Sequence, residues 1–546
     1  MPRPLAKARG SIQAWLMRWA ARVFLLLVAT LMSAAPAPEP WGQTAVVAAS
    51  GSVTRTAADL RSGRDTAVAL VDRLQRRIVA EDRAGPGYHA IIAMDPRAAA
   101  SARALDEAAA KGRWLGPLHG VPILLKDNIE AGDGMATTAG SLALADNVTG
   151  RQAPLVARLR AAGAVILGTT NLSEWANFRD FHSLGGWSAL AGQTRNAIDP
   201  DRFPCGSSAG SAVAVAAGFA PAAIGTETDG SITCPASVNG LGGLKPTGGL
   251  ISRTGVIPLA HSQDTAGPIT RTVRDAAILL GVMAGGDPAD PATAQADARR
   301  SQYAAGLERA SLKGARIGVM RFAAGFDPAT EAVFDAALDR MRAAGAVLVE
   351  IKEGPDLAAI AADERLVLLT EFKADIGAYL RATRPERVKT RNLADLIAFD
   401  RAHAAEEMPL FGQTIFEASE ATHGLVDPAY RAALSEGRRR AGREGIDRML
   451  SRYRVLALVA PTAGPARLIV SASRESAPAG EAARLAAVAG FPHLTVPMGA
   501  VDGLPVGMSF IGPAWSEERL LQLGHAFERA MRGPERAAGR RRRDLS

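Results

Sequence analysis

The chain has 546 residues, 48% of them hydrophobic, which is enough for a large buried core and more than one average domain. Its net charge of +8 sits at the two ends: residues 1–37 hold five cations and no acid, residues 532–546 hold six arginines against two acids, and the rest carries one net negative charge. A near-neutral body excludes an extended nucleic-acid-binding face, and two cysteines exclude a disulfide framework.

In chain order, the first feature is a basic segment followed by the apolar run Val23 to Met32 and the small residues Ser33-Ala34-Ala35-Pro36-Ala37. That is the order of a secretory signal, and the run is shorter than the roughly 18–20 residues that span a bilayer. Residues 1–37 are therefore expected to be a leader and 38–546 a mature catalytic domain. The protein is then periplasmic or secreted, without stable membrane association once the leader is cleaved; an uncleaved anchor is the alternative. No Arg-Arg pair precedes the run, so twin-arginine export is not indicated. Residues 532–546 read as a disordered basic tail.

Helical spacing predicts helices over 55–82 and 96–111. Strand-like runs follow at 121–125 and 165–168, the second after an amphipathic helix from Pro154 to Ala162. The stretch 209–219 is small and apolar throughout, which suits a helix packed inside the core, and a further strand leads into the turn Gly230-Ser231. Later strands are predicted at Arg316 to Met320, Ala346 to Ile351, Val455 to Ala460, His493 to Pro497 and Val506 to Ile511. Helices are predicted over 329–344, 357–382, 428–451 and 516–531, and residues 283–310 read as a long surface connection. Strands alternating with helices imply an α/β layered fold around a mostly buried sheet.

Three stretches carry chemistry: GPLHGVPILLKDN (Gly116 to Asn128), PCGSSAGSA (Pro204 to Ala212) and AIGTETDGSITCPAS (Ala223 to Ser237). Lys126 ends the apolar run Val121-Pro122-Ile123-Leu124-Leu125, where desolvation favours the neutral, basic amine; a snorkelling lysine is the plainer reading. Ser207 and Ser208 lie in a turn before a helix, a place that also suits an N-cap. A serine nucleophile needs a base, and here the candidate is a lysine. His119, His182 and His261 read instead as hydrogen-bonded pocket residues. Gly206 to Gly210 fits the G-x-S-x-G elbow that would make Ser208 the nucleophile, but the polar, proline-broken QTRNAIDPDRFPC before it is no strand. Cys205 and Cys234 each sit within three residues of a candidate serine. They read as small buried residues lining a packed site, with a bridge possible in an oxidising compartment but not fixed by sequence. Neither a metal-ligand spacing nor HExxH occurs, so no metal or cofactor is expected.

These stretches closely resemble the amidase signature family of serine hydrolases, in which a Ser–Ser–Lys triad replaces Ser–His–Asp and the two serines stand 24 positions apart, as Ser207 and Ser231 do. The likeness runs over nearly the whole chain after residue 50. It includes AGAVILGTTNLSEWANFR (Ala162 to Arg179), AGQTRN (Ala191 to Asn196), GLKPT (Gly243 to Thr247) and SQDTAGP (Ser262 to Pro268). GTETDGSITCP and SEWANFR look most like the bacterial peptide amidases within the family.

The resemblance implies one large domain with a mixed β-sheet covered by helices on both faces. It makes Ser231 the nucleophile, Ser207 the bridging serine after a cis Gly206–Ser207 bond, and Lys126 the base. Backbone N–H groups of Thr228, Asp229, Gly230 and Ser231 become the oxyanion hole, and Ser208 becomes a candidate to contact substrate. Trp175 and Asn177, with Phe178 and Arg179 beside them, are candidates to line the acyl pocket, with ordinary helix packing as the equal alternative. Two departures stand out: Asp229 where the family usually has glycine before Gly230, and Ala209 in place of a glycine of its GGSSGG turn. The expected reaction is carboxamide hydrolysis through an acyl-enzyme, with ammonia released, and C-terminal amides of peptides as the favoured substrate. A monomer that meets only a small-molecule or peptide amide, and no nucleic acid, is expected. The alternatives are a general aliphatic or aryl amidase, the amidase component of an amidotransferase, against which the leader argues, and a binding protein on an amidase scaffold, against which the intact Lys126, Ser207 and Ser231 argue.

Overall fold

The strand and helix signals resolve into a mixed sheet in a computed structural model that describes residues 51–132, 134–469 and 481–532. The predicted leader and residues 533–546 of the predicted tail lie outside the described residues. Along the chain the strands are β1 (Ile91–Met94), β2 (Pro122–Lys126), β3 (Val165–Thr170), β4 (Trp187–Ser188), β5 (Gly192–Gln193), β6 (Ala222–Glu227), β7 (Gly242–Lys245) and β8 (Thr265–Thr270). They continue as β9 (Arg316–Met320), β10 (Val347–Ile351), β11 (Ala457–Pro461), β12 (His493–Val501) and β13 (Leu504–Ile511).

Apart from the small β4–β5 ribbon, they form one eleven-stranded sheet in the order β1-β3-β2-β6-β8-β7-β12-β13-β11-β9-β10. The β3–β2–β6 and β11–β9–β10 groups run parallel, while the other neighbours are antiparallel. The mixed sheet of the expected fold class is therefore present. Strands β2, β3, β6 and β8 are buried at every residue, which explains why their sequences are continuous apolar or small-residue runs and not alternating ones.

Local chemistry sets the element ends. The predicted helix over 55–82 is two helices, Val53–Arg61 and Ala67–Glu81, because Gly63 takes φ +71° between them and Thr66 caps the second by accepting from Ala69 N–H. The predicted helix over 428–451 continues to Tyr453, with a wider, π-type stretch at Arg439–Asp447. Helix Ala209–Ala216 is buried along its full length and packs on β2, β3 and β6. Only small residues allow that approach: a Cβ at Gly210 would lie 2.4 Å from the Ala90 carbonyl oxygen.

Candidate active site

Strands β2 and β6 are parallel neighbours, with Leu125 paired to Ile224, so Lys126 and Thr226 stand near each other at the same end of the sheet. Lys126 Nζ lies 2.7 Å from Ser207 Oγ, 2.8 Å from Thr226 Oγ1 and 3.2 Å from the Thr226 carbonyl oxygen. The lysine is fully buried. Burial pulls its pKa down to about 7 against the opposing pull of the Asp264 and Glu227 charges. Asn128 holds the Thr226 hydroxyl from the other side by donating Nδ2–H at 3.0 Å.

Ser207 is held from several directions. It follows a cis Gly206–Ser207 peptide, with Cys205 before it at φ +57°. Its carbonyl accepts from Ser173 N–H at 3.0 Å. The next residue, Ser208, donates its N–H to the Ser231 carbonyl at 3.0 Å, which ties the two serine turns together. Ser208 Oγ donates to the Thr226 carbonyl and accepts from Thr226 N–H, so this hydroxyl braces β6. It makes no capping bond to helix Ala209–Ala216, the role suggested by its position.

Ser231 sits after Gly230, whose φ of +76° glycine adopts without strain. Glu227 Oε2 accepts from Ile232 and Thr233 N–H just beyond the turn. The N–H groups of Thr228, Gly230 and Ser231 donate no hydrogen bond among the described residues. Ser231 Oγ likewise has no protein partner among them, so the Lys126–Ser207 contact is formed and a Ser207–Ser231 contact is not. Thr228 is fixed by its hydroxyl, which donates to Asp264 Oδ1 at 2.5 Å. Burial raises the Asp264 carboxyl to about 6.

Cys205 and Cys234 form a disulfide, with Cα atoms 6.0 Å apart. The reading of two unlinked buried cysteines gives way to a covalent tie between the Ser207 and Ser231 turns; the deciding fact, their approach in space, is absent from a linear sequence.

Trp175, Ala176 and Asn177 form a left-handed turn with φ of 51°, 57° and 71°, a conformation costing roughly 1–2 kcal/mol per non-glycine residue. Arg179 holds it from within: fully buried, it pairs with Glu174 at 2.5 Å and Glu407 at 3.3 Å and faces the Phe411 and Trp187 rings. These contacts occupy Arg179 in packing. Trp175 packs edge-on against Phe416, and neither Trp175 Nε1 nor Asn177 Oδ1 has a protein partner although both atoms are buried.

The histidines stand outside the lysine–serine cluster's hydrogen bonds. His119 bridges Leu115 N–H and the Leu105 carbonyl. His261 lies between Asp375 and Glu371, a trio whose ligand atoms are close enough to hold a cation. Both carboxylates there already accept protein donors, from His261, Ser262 and Tyr430. Sequence reasoning missed Thr226, Gln263 and Asp264. The signal was present in GTETDG and SQDTAGP, but no rule of spacing says that a threonine one strand over will meet a lysine.

The site thus joins a buried lysine of lowered pKa to a serine, beside a glycine turn whose Thr228, Gly230 and Ser231 N–H groups donate no hydrogen bond among the described residues. The amidase family model matches residues 70–521, and the chain belongs to that family of hydrolases acting on C–N bonds. The fold is similar to the X-ray structure of native peptide amidase from Stenotrophomonas maltophilia, with TM-score 0.84 and 49% identity, covering 91% of this chain and 98% of that one. A probable amidase of Arabidopsis thaliana is 38% identical over 82% of this chain and 83% of its own length. A glutamyl-tRNA(Gln) amidotransferase subunit of Deinococcus radiodurans is 35% identical over 87% and 97% respectively.

Proposed function

We propose that this amidase hydrolyses carboxamides with Ser231 as nucleophile, Ser207 as proton relay and Lys126 as base, and that its preferred substrate is the C-terminal amide of a peptide. The observation that carries the mechanism is the 2.7 Å contact between Ser207 Oγ and a lysine whose pKa lies near 7. With two amine hydrogens on Thr226, the neutral Lys126 lone pair faces Ser207. As Ser231 Oγ attacks the carbonyl, its proton passes to Ser207 and the Ser207 proton to Lys126. The carbonyl oxygen becomes an oxyanion that the turn's N–H groups receive. Collapse breaks the C–N bond, the relay returns a proton, and ammonia leaves. Water then repeats the sequence on the acyl-enzyme to give a free carboxylate.

The peptide-amide reading is supported by the 49% identity to a peptide amidase over 91% of the chain. The signal-like order of the N-terminal sequence supports a reaction outside the cytoplasm, away from the tRNA-dependent pathway of the amidotransferases. Trp175 and Asn177, whose buried polar atoms lack protein partners, are the pocket residues it assigns to substrate. Incubation with an amidated pentapeptide tests it. The expected product keeps every internal bond, is heavier by the difference between NH₂ and OH, and appears with one equivalent of ammonia. Shorter fragments would overturn it in favour of an endopeptidase, and turnover of small aliphatic amides alone would make the enzyme a general amidase.

A further inference from the structure

The peptide unit between Thr228 and Asp229 is enclosed by a ring of side chains from three separate parts of the chain. Gln263 Nε2 donates to the Thr228 carbonyl at 3.3 Å and, with its other hydrogen, to Glu364 Oε1 at 2.9 Å. The second Glu364 oxygen accepts from Arg484 Nε at 2.9 Å. The same Arg484 Nε lies 3.8 Å from Asp229 Oδ2, which leads back to the starting peptide. Gln263 comes from the loop before β8, Glu364 from helix Leu357–Arg381 and Arg484 from helix Glu481–Ala489.

A planar trans peptide points its C=O and N–H in opposite directions. A donor fixed on the Thr228 carbonyl therefore aims the Asp229 N–H and polarises it toward a stronger donor. Glutamine alone would not hold that aim, since its amide can rotate and set an oxygen against the carbonyl. Glu364 removes the choice, because an acceptor on each side demands the NH₂ end of Gln263 between them. Arg484 fixes the Glu364 carboxylate and balances its charge next to Asp229.

We infer that Gln263, Glu364 and Arg484 are positioning residues that aim the Asp229 N–H at the oxyanion of the reaction, and that the aspartate replacing the family's usual glycine serves as Arg484's second anchor. This rests on the reading of Thr228–Ser231 as the oxyanion turn. The ring acts where charge develops, so its loss lowers turnover and leaves substrate binding alone.

The test compares Gln263→Leu, Arg484→Met and Arg484→Lys with the unsubstituted enzyme on an amidated peptide and on a peptide aldehyde, which forms a tetrahedral adduct with a serine. Gln263→Leu is expected to lower kcat about 10–100-fold, below the full cost of removing an oxyanion donor, with KM within about threefold. Aldehyde affinity should fall in the same proportion, and affinity for the product acid should not change. Arg484→Met should show a smaller version of this pattern, and Arg484→Lys should recover part of it. Arg484 is 27% exposed, so its variants test the ring even where a change at buried Gln263 disturbs folding. Unchanged kcat in Arg484→Met, or a fall in kcat without loss of aldehyde affinity, would overturn the inference. Ser231→Ala is carried alongside: retained activity there would instead overturn the underlying mechanism.

Discussion

The two serine turns are built to opposite ends. Around Ser207 almost every group is engaged: the hydroxyl on Lys126, the carbonyl on Ser173, and the neighbouring Ser208 on both Thr226 and Ser231. Around Ser231 the hydroxyl and the N–H groups of Thr228, Gly230 and Ser231 are unused among the described residues, and the holding is done one layer back by Asp264, Gln263 and Glu227. A group that passes a proton must keep one geometry through two half-reactions. A group that attacks must have its bonding capacity available for the substrate.

That contrast breaks most sharply at Ser231, the proposed nucleophile. Ser231→Ala should lower ammonia release by at least about 10⁴-fold, the scale seen when the nucleophile of such a relay is removed, and should abolish adduct formation with a fluorophosphonate probe. An adduct found on Ser208 by mass spectrometry would reverse the assignment.

Next in size is Lys126, the proposed base. Lys126→Met should cost roughly 10²–10⁴-fold in kcat, the range of general-base catalysis, with slow probe labelling of Ser231 retained. In the unsubstituted enzyme kcat/KM should rise with pH through about 7 as the amine loses its proton. Folding lowers this pKa from 10.5 to about 7, so between those values the unfolded chain binds the extra proton. The lysine's destabilising effect is therefore full below pH 7 and fades as pH rises toward 10.5. Lys126→Met should accordingly raise the thermal midpoint at pH 7. An acid optimum would remove Lys126 from the role, whereas a destabilised methionine variant would show that its hydrogen bonds to Thr226 outweigh its desolvation.

A smaller effect sharpens the comparison at the tie between the turns. Replacing both Cys205 and Cys234 with serine opens a crosslink across 29 residues and should cost about 3.6 kcal/mol of stability on the chain-entropy model, read by urea denaturation. Turnover should fall only a few-fold, because the hydrogen bond from Ser208 to Ser231 persists. Smallest of all, Thr226→Val should lower kcat by tenfold or less, since it removes one of two acceptors on Lys126 while the carbonyl remains.

The extent to which the sequence revealed this site follows from where each part is encoded. Lys126, Ser207 and Ser231 stand in contiguous motifs, and β2, β3 and β9 begin within one residue of their apolar runs, with β9 matching its run throughout and β3 continuing two residues beyond its own. Strands β7 and β8 did not, because Gly242, Gly243, Gly267 and Pro268 carry no strand propensity. Their glycines answer to neighbours instead: a Cβ at Gly267 would sit 2.0 Å from the Leu244 carbonyl oxygen on the adjoining strand. The disulfide, the Gln263–Glu364–Arg484 ring and the left-handed turn at Trp175–Asn177 all depend on which segments meet, and no local pattern specifies that. Arg179 shows a different gap: its motif allowed either pocket lining or ordinary packing, and only the fold reveals it as a buried counter-ion of Glu174 and Glu407.

The parallel pairing of β2 with β6 has a consequence for how the enzyme reports on itself. Side chains alternate across a sheet, so a slip of one residue between these strands would turn Lys126 to the opposite surface and leave a hydrophobic side chain in its place. Such a molecule would keep most of its secondary structure and would have no base. Turnover per folded molecule is thus a direct gauge of strand alignment, more discriminating than circular dichroism. In a refolded preparation, the fraction labelled rapidly by an active-site probe would count the correctly aligned chains, since chains without the lysine in place would label only slowly.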